Sequence, residues 1–456
     1  MYKPLTIEEI IKVTAGKLAG NVTGTFHLFS TDTRTIQKDD IFVPLTGPNF
    51  DGHNYINEAF TKGAKLTLAH VGKSITASGN PVLYVDDTLE AYGKIARYYL
   101  EKFSSKVIAV TGSVGKTTIK EMIVAILKAR FDVEATYKNY NNRIGVPQTI
   151  LSLSSEPDFI VLEMGTNTKG EIQSLVEIAP PHYSLITTIG SAHLAGFHTI
   201  NEIVKEKSHI YYGTRKEGYA FVNLDDPRVV EASTEAACKK IFYSVKHHEA
   251  PFQLNSFSQN GTGWKIDARL KAENLYFKLP LLGYHNIINA LGAMAVSYVA
   301  GAKASDIKSA LEHFKSPHMR GELLVFKRGT VFCDCYNANP ESTKAALDSF
   351  KSLLKGAPGL VILGDMLELG SSSRQLHEEI GEYASALDFA HTLLIGNEMK
   401  YAYRVLKDNA KTVDYVRSYE EAKIVLEKII PNYSSVLLKG SRGMRLERII
   451  DDFYKE

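Results

Sequence analysis

Between residues 107 and 122 an apolar run, Val-Ile-Ala-Val, passes into Thr-Gly-Ser-Val-Gly-Lys-Thr-Thr and then into a stretch with helical spacing. Strand, glycine turn, lysine and helix in that order belong to a parallel sheet flanked by helices, and this constrains the chain more than any other feature. Gly112 and Gly115 permit a tight turn, through Ser113 and Val114, that brings backbone N–H groups up to phosphate oxygens. The helix that starts at Lys116, Thr117 and Thr118 adds its positive end. Lys116 supplies a cation for the outer phosphates of ATP, and Thr117 offers a hydroxyl to Mg²⁺. The strict pattern G-x-x-x-x-G-K-[ST] fails, because position 110 is valine. That departure argues against a standard GTPase or transporter loop. Phosphate binding survives it, since Gly112 and Gly115 still build the turn.

A chain of 456 residues is too long for one core. The expected class is α/β with three domains. Residues 1–103 form a small α/β domain, with strands at 40–45 and 81–86 and a helix at 89–103. Residues 104–315 form a central P-loop ATPase-type domain. Its near-continuous apolar runs DFIVLEMG, YSLITTIG and GYAFVNLD indicate a parallel sheet covered on both faces. Asn260-Gly261 marks a hairpin in an antiparallel insert, before the apolar helix HNIINALGAMAVSYVAGA. Residues 316–456 form a Rossmann-like domain with strands at TVFCDCY, GLVILGD, HTLLIGN and SSVLLKG, and ligands are expected at their C-terminal ends.

Composition removes several classes. A formal charge of +2 gives no global reason to expect nucleic acid. No apolar run approaches a membrane span, and the acids within MYKPLTIEEIIKV do not suit a signal peptide. Three cysteines cannot make a disulfide framework. Cys333 and Cys335 read as reduced thiols rather than a metal pair, which places the chain in the cytoplasm. A monomer is expected.

Other strand ends carry candidate chemistry. Glu163 closes the strand in IVLEMG and reads equally as a solvent carboxylate or as a Mg²⁺ ligand beside the phosphate loop. His193, in TTIGSAHLAG, follows another strand, where a lone histidine is as a rule structural. Lys207 is by spacing simply a helix lysine. Asn286 reads as a helix N-cap. Asn337 and Asn339 in YNANPES, Asp365 in LGDMLELG, and Lys439 and Ser441 in LLKGSRG lie in ordinary turn-forming sequence.

TGSVGKTT resembles the ATP loop of the Mur ligase superfamily, T-G-x-x-G-K-T-T. YNNRIGVP is similar to that family's N-x-N-N-x-x-G-x-P segment, and YNANPES and LGDMLELG resemble signatures of its MurF branch, with His377 at the expected spacing. The resemblance runs through the whole chain in order. It implies an ATP-dependent amide ligase joining D-alanyl-D-alanine to UDP-MurNAc-tripeptide through an acyl phosphate. It implies that Thr117 and Glu163 hold one Mg²⁺, and that His193 and a carbamylated Lys207 hold a second. Ser208 and His209 replace the Gly and Glu that follow this lysine in the family, and Lys205 is its only neighbour in competition. It further implies adenine-side contacts from His285 and Asn286, a phosphate contact from Arg320 and a ribose contact from Asp334, where Cys333 replaces a second aspartate. Lys116, Lys207, His193 and Arg320 would then be the catalytic group. Asn337, Asn339, Asp365, Lys439 and Ser441 would face the dipeptide. In the first domain, STDTR and the segment around Gly47 and Asp51-Gly52-His53 resemble the family's uridine-diphosphate site, with Ser30, Asp32, Arg34 and Gly47 as contacts. The alternatives are a MurE-like or folylpolyglutamate-like ligase adding one amino acid, and a P-loop ATPase without ligase activity.

Overall fold

The computed structural model describes residues 3–455 except 27, 74 and 76–78. Among these, three main sheets follow one another along the chain. The first has five short strands in the order Lys17–Ala19, Val82–Val85, Leu66–His70, Ile41–Phe42 and Phe29–Ser30. Only its first pair is antiparallel. The strand expected at 40–45 shrinks to two residues, and the expected helix runs Thr88–Glu101. That helix buries Tyr92, Ile95, Ala96 and Tyr99 and shares one apolar core with the middle sheet.

The middle sheet has nine strands. Lys106–Thr111 lies between Phe159–Glu163 and Tyr183–Ile186, all parallel. Tyr219–Asn223 and Lys239–Ser244 continue the parallel order. The hairpin at Gly261 is present, between Phe252–Asn260 and Gly263–Leu270. The antiparallel strands sit where they were expected, near the end of the middle block. Phe252–Asn260 pairs in parallel with Lys239–Ser244, so they extend the same sheet at its edge. The phosphate-loop helix, Lys116–Leu127, buries Ile119, Met122, Ile123, Ile126 and Leu127 against this sheet, as its spacing requires. Helix Tyr284–Ala300 packs on the same side and is buried along most of its length.

The third sheet has six strands. The four anticipated from sequence form its parallel centre. The two edge strands, Glu322–Phe326 and Val413–Val416, were not anticipated. Both are half exposed; Asp414 interrupts the second, and the first, though apolar from Leu323 to Phe326, is short. Register sets the chemistry. In the middle sheet Val110 pairs with Glu163 and Thr111 with Ile186, so Glu163 stands level with the start of the phosphate loop. In the third, Asp334 pairs with Lys439 at the strand ends. Among the described residues no helix is long and apolar enough to cross a membrane.

Candidate active site

The turn at 111–116 depends on its two glycines. Gly112 has φ +147, and a Cβ there would stand 1.9 Å from the Thr187 hydroxyl; Gly115 has φ +84, and its Cβ would meet Asn289 at 2.7 Å. A side chain at either position would be both strained and blocked. Gly115 caps the helix that begins at Lys116, whose first N–H groups lack carbonyl partners within the helix. The Lys116 ammonium donates to the Gly112 carbonyl at 2.6 Å. Burial lowers its pKa, the Glu163 carboxylate opposes that shift, and the nearby Arg320 cation reinforces it.

Glu163 is 2% exposed. One of its oxygens accepts from the Thr117 hydroxyl at 2.7 Å, the other from the Asn141 amide at 2.8 Å. The strand end and the loop helix thus offer one carboxylate and one hydroxyl side by side. Among the described residues no three carboxylate, imidazole or thiol groups converge as a ready metal site. Mg²⁺ does not need such a cage, because it keeps waters and takes substrate phosphate oxygens. The Thr117–Glu163 pair therefore fits it.

Lys207 lies in helix Ile200–Tyr212 and is 2% exposed, and among the described residues its ammonium has no carboxylate or carbonyl partner. Burial and the Lys116 charge push its pKa well below that of an ordinary lysine, against a smaller pull from Glu206. A buried amine with a depressed pKa is more readily deprotonated, the form that adds CO₂. His193 lines the same cleft as the loop, but its Nδ1 is engaged by Glu368 at 2.7 Å. Neither residue, as it stands, is an oxygen donor.

The opposite wall comes from the third sheet. A cleft of about 340 Å³ is lined by Lys116 and Glu163 on one side and by Arg320, Asp334, Asn337 and Lys439 on the other. The Arg320 guanidinium lies 4.1 Å from the centre of the Tyr336 ring. Asp334 pairs with Lys439 at 2.7 Å, and Lys439 also donates to the Asn337 carbonyl at 2.8 Å. Asn339 is the N-cap of helix Pro340–Leu354, and its amide reaches the Ser113 carbonyl at 3.5 Å. Asn286 and His285 line the cleft from the middle sheet's side. Asn286 is not an N-cap, a position held by Gly283; its amide donates back to the Leu282 carbonyl at 2.7 Å. Burial lowers the His285 pKa.

Two residues expected on the dipeptide side lie outside this cleft's lining. Asp365 does not line the cleft. Its carboxylate accepts from the N–H groups of Asn397, Glu398 and Met399 at 2.9–3.0 Å, which caps the helix Met399–Asp408. The Ser441 hydroxyl accepts from Leu367 N–H at 2.8 Å and approaches the Ala338 carbonyl, so it ties three loops together from behind the cleft. His377 does similar work: fully buried, it accepts from Met366 N–H at Nε2 and lies 2.7 Å from the Ser373 carbonyl through Nδ1.

Ser30, Asp32, Arg34 and Gly47 lie away from this cleft. Ser30 closes a strand of the first sheet, and its hydroxyl accepts from Asp32 N–H at 3.2 Å. Asp32 grips Arg34 through Nε and Nη2, at 2.6–3.0 Å, while the Arg34 side chain stays 84% exposed. That guanidinium holds the Asp32 carboxyl at about 2. Gly47 sits on an exposed two-residue strand. Several cleft residues carried no individual assignment from sequence: Asn141, Asn289, Tyr336 and Glu368. The asparagines lie inside motifs already noted, but Tyr336 and Glu368 act through neighbours distant in sequence, a relation that only the fold reveals.

Three family models match the chain in order: the Mur ligase family, catalytic domain, at residues 25–100; the Mur ligase middle domain at 110–297; and the Mur ligase, glutamate ligase domain, at 319–442. The UDP-N-acetylmuramoyl-tripeptide–D-alanyl-D-alanine ligase of Bacillus subtilis is 35% identical over 98% of each chain. That of Escherichia coli is 30% identical over 98% of this chain and 97% of its own. A crystal structure of MurF from Acinetobacter baumannii superposes with a TM-score of 0.91 at 28% identity, covering 99% of this chain and 98% of that one. MurF from Thermotoga maritima, solved in complex with ADP, gives 0.82 at 26% identity, covering 94% and 97%.

Proposed function

The chain belongs to the Mur ligase family, and from that membership we infer that it joins D-alanyl-D-alanine to UDP-MurNAc-tripeptide with ATP, forming the pentapeptide precursor of peptidoglycan. The observation that carries the reading onto this chain's own residues is the shared cleft. Lys116 and Glu163 of the middle sheet face Arg320, Asp334 and Lys439 of the third across one space.

An amide does not form from a carboxylate and an amine in water until the carboxylate is activated. The γ-phosphoryl of ATP passes to the tripeptide carboxylate, giving an acyl phosphate and ADP. The dipeptide amine then attacks the acyl carbon, the tetrahedral intermediate expels phosphate, and the amine loses its proton. The first step is mostly positioning and charge neutralisation. Gly112, Ser113, Val114, Gly115, Thr117 and Thr118 cradle the phosphates, and Lys116 and Arg320 spread the charge on the moving group. Asn286 and Asp334 hold the nucleoside. Thr117 and Glu163 would hold Mg²⁺, which when bound neutralises phosphate charge. Lys207, once carbamylated, would become an oxygen donor for a second ion together with Nε2 of His193. Its depressed pKa and lack of a partner support that role, since the carbamate would answer the Lys116 charge. Ser30, Asp32, Arg34 and Gly47 serve the uridine diphosphate; the exposed guanidinium of Arg34 supports this. Asn337, Asn339 and Lys439 remain on the dipeptide side. An acyl phosphate must be kept from water, and a cleft walled by two sheets supplies that exclusion. We take the enzyme to work as a cytoplasmic monomer of three domains, divided near residues 103 and 315.

The test is phosphate release from ATP and Mg²⁺ with UDP-MurNAc-tripeptide, with and without D-Ala-D-Ala. Release that needs both, with a pentapeptide product by mass, is expected. Release that needs a single amino acid instead would move the chain to a sister branch. Release with neither substrate would make it an ATPase.

A further inference from the structure

We propose that Glu341 is a positioning residue for phosphoryl transfer: it fixes the phosphate loop from the third sheet, through Ser191. This rests on the ligase reading above. Glu341 lies in the first turn of helix Pro340–Leu354, where the helix end favours a carboxylate. Its Oε1 accepts from both Ser191 N–H, at 2.8 Å, and the Ser191 hydroxyl, at 2.6 Å. The approach is as close as the backbone allows. A Cβ on Gly190 would stand 2.6 Å from the Glu341 carboxyl carbon.

What Glu341 grips is the flank of the phosphate loop. Thr187 N–H donates to the Thr111 carbonyl at 2.9 Å, and Ser113 N–H to the Thr188 carbonyl at 2.8 Å. Gly190 N–H donates to the Ser113 hydroxyl at 2.8 Å, and that hydroxyl lies 3.1 Å from the Gly190 carbonyl. A short path of hydrogen bonds therefore runs from the third sheet through Glu341, Ser191 and Gly190 to Ser113. Asn339, two residues before Glu341, reaches the Ser113 carbonyl from the same side.

Packing alone does not account for this residue. Its second oxygen, Oε2, is buried and has no hydrogen-bond partner among the described residues. A half-satisfied buried carboxylate costs folding free energy. A residue kept for packing alone would be better replaced by an apolar side chain. The geometry instead holds Lys116 and Arg320 on opposite walls at one separation while the phosphoryl group moves.

The experiment compares Glu341→Ala, Glu341→Gln, Ser191→Ala and the Ser191→Ala/Glu341→Ala double variant in the full chain, with all three substrates. Wild-type turnover to pentapeptide tests the ligase reading itself; should it fail, the transfer step and this proposal fall together. Given wild-type turnover, Glu341→Ala is expected to lower kcat about tenfold or more, as loss of a charge-assisted contact does. The Kd for ATP alone should stay within about twofold; Tm should fall modestly, because the Ser191 N–H and hydroxyl lose their acceptor, so kcat is read well below the variant's Tm. Glu341→Gln keeps an acceptor for Ser191 and should retain most of kcat. The double variant should be no worse than Glu341→Ala. Unchanged kcat in Glu341→Ala overturns the proposal. So does a kcat loss that disappears when turnover is measured well below the variant's Tm, or a double variant that loses the sum of both effects.

Discussion

Lys207 and Lys439 are each 2% exposed, one in a helix behind the phosphate loop and one at a strand end of the third sheet. Lys439 is answered by Asp334 and by the Asn337 carbonyl, at 2.7 and 2.8 Å. Lys207 has no hydrogen-bond or ion-pair partner among the described residues, and burial, with the Lys116 charge, pushes its pKa well down. The contrast extends to the two walls. On the middle-sheet side Lys116 rests on a loop carbonyl and Thr117 on Glu163, contacts that a nucleotide and its ion can replace. On the third-sheet side Asp365, Ser441 and His377 are spent on holding loops to one another. One wall keeps its polar groups for ligands. The other spends most of them on shape and presents only a few, Arg320 foremost.

The largest effect should come from the first wall. Glu163→Gln keeps an acceptor for Thr117 but removes the charge that suits a divalent cation, so kcat should fall about 10²–10³-fold with Tm little changed. The loss should be read as a function of Mg²⁺ concentration. A variant with wild-type Mg²⁺ dependence would show that Glu163 merely supports the loop.

Next in size, the two lysines can be set against each other directly. Lys207→Met should abolish most turnover while leaving Tm equal or higher in CO₂-depleted buffer. Lys439→Met strands Asp334 and should lower Tm. The sign follows from linkage. Between its depressed folded pKa and the ordinary lysine pKa, a buried lysine binds fewer protons folded than unfolded, so stability rises with pH across that window. Added bicarbonate should raise wild-type kcat, an effect that weakens as acid protonates the amine. Lys207→Arg should show no bicarbonate response at all. If Lys207→Met and Lys439→Met lower Tm alike, the contrast between the two sites is broken.

The second wall should fail by unfolding rather than by chemistry. Asp365→Ala leaves three backbone N–H groups at a helix start without their acceptor, a loss of about 2–3 kcal/mol. Denaturant titration should find it. The KM for D-Ala-D-Ala measured well below the new Tm should be close to that of wild type. A raised KM with intact stability would return Asp365 to the substrate.

These expectations separate what the chain announces from what it conceals. The phosphate loop and Glu163 are legible because strand, turn and helix are contiguous and parallel pairing fixes their level. The central strands of the third sheet are legible as apolar runs ending in Gly or a polar group, whereas at its edges Asp414 interrupts Val413–Val416, and residues 323–326 are a short run that was not anticipated. Asp365 is ambiguous in sequence because Gly-Asp at a strand end looks the same whether the carboxylate meets a ligand or a helix start more than thirty residues onward, where this structure places it. The partner of Lys207, or its lack of one, depends on packing from distant segments and has no local signature.

The smallest expected effect belongs to Tyr336, whose ring lies 4.1 Å below the Arg320 guanidinium. A cation over an aromatic face contributes about 0.5–1 kcal/mol at a partly exposed site. Arg320 is half buried and lines the cleft, so on the proposed mechanism any freedom it gains is lost from the transfer step. Tyr336→Leu should therefore lower kcat about two- to fivefold with little change in Tm. Tyr336→Phe keeps the ring face and should match wild type. Arg320→Lys should already be impaired, since an ammonium lacks the planar fork that stacks and binds two oxygens together, and adding Tyr336→Leu to it should cost little more. If Tyr336→Phe were as poor as Tyr336→Leu, the phenol hydroxyl and not the ring would be what the second wall presents, and Arg320 would need no stacking partner to do its work.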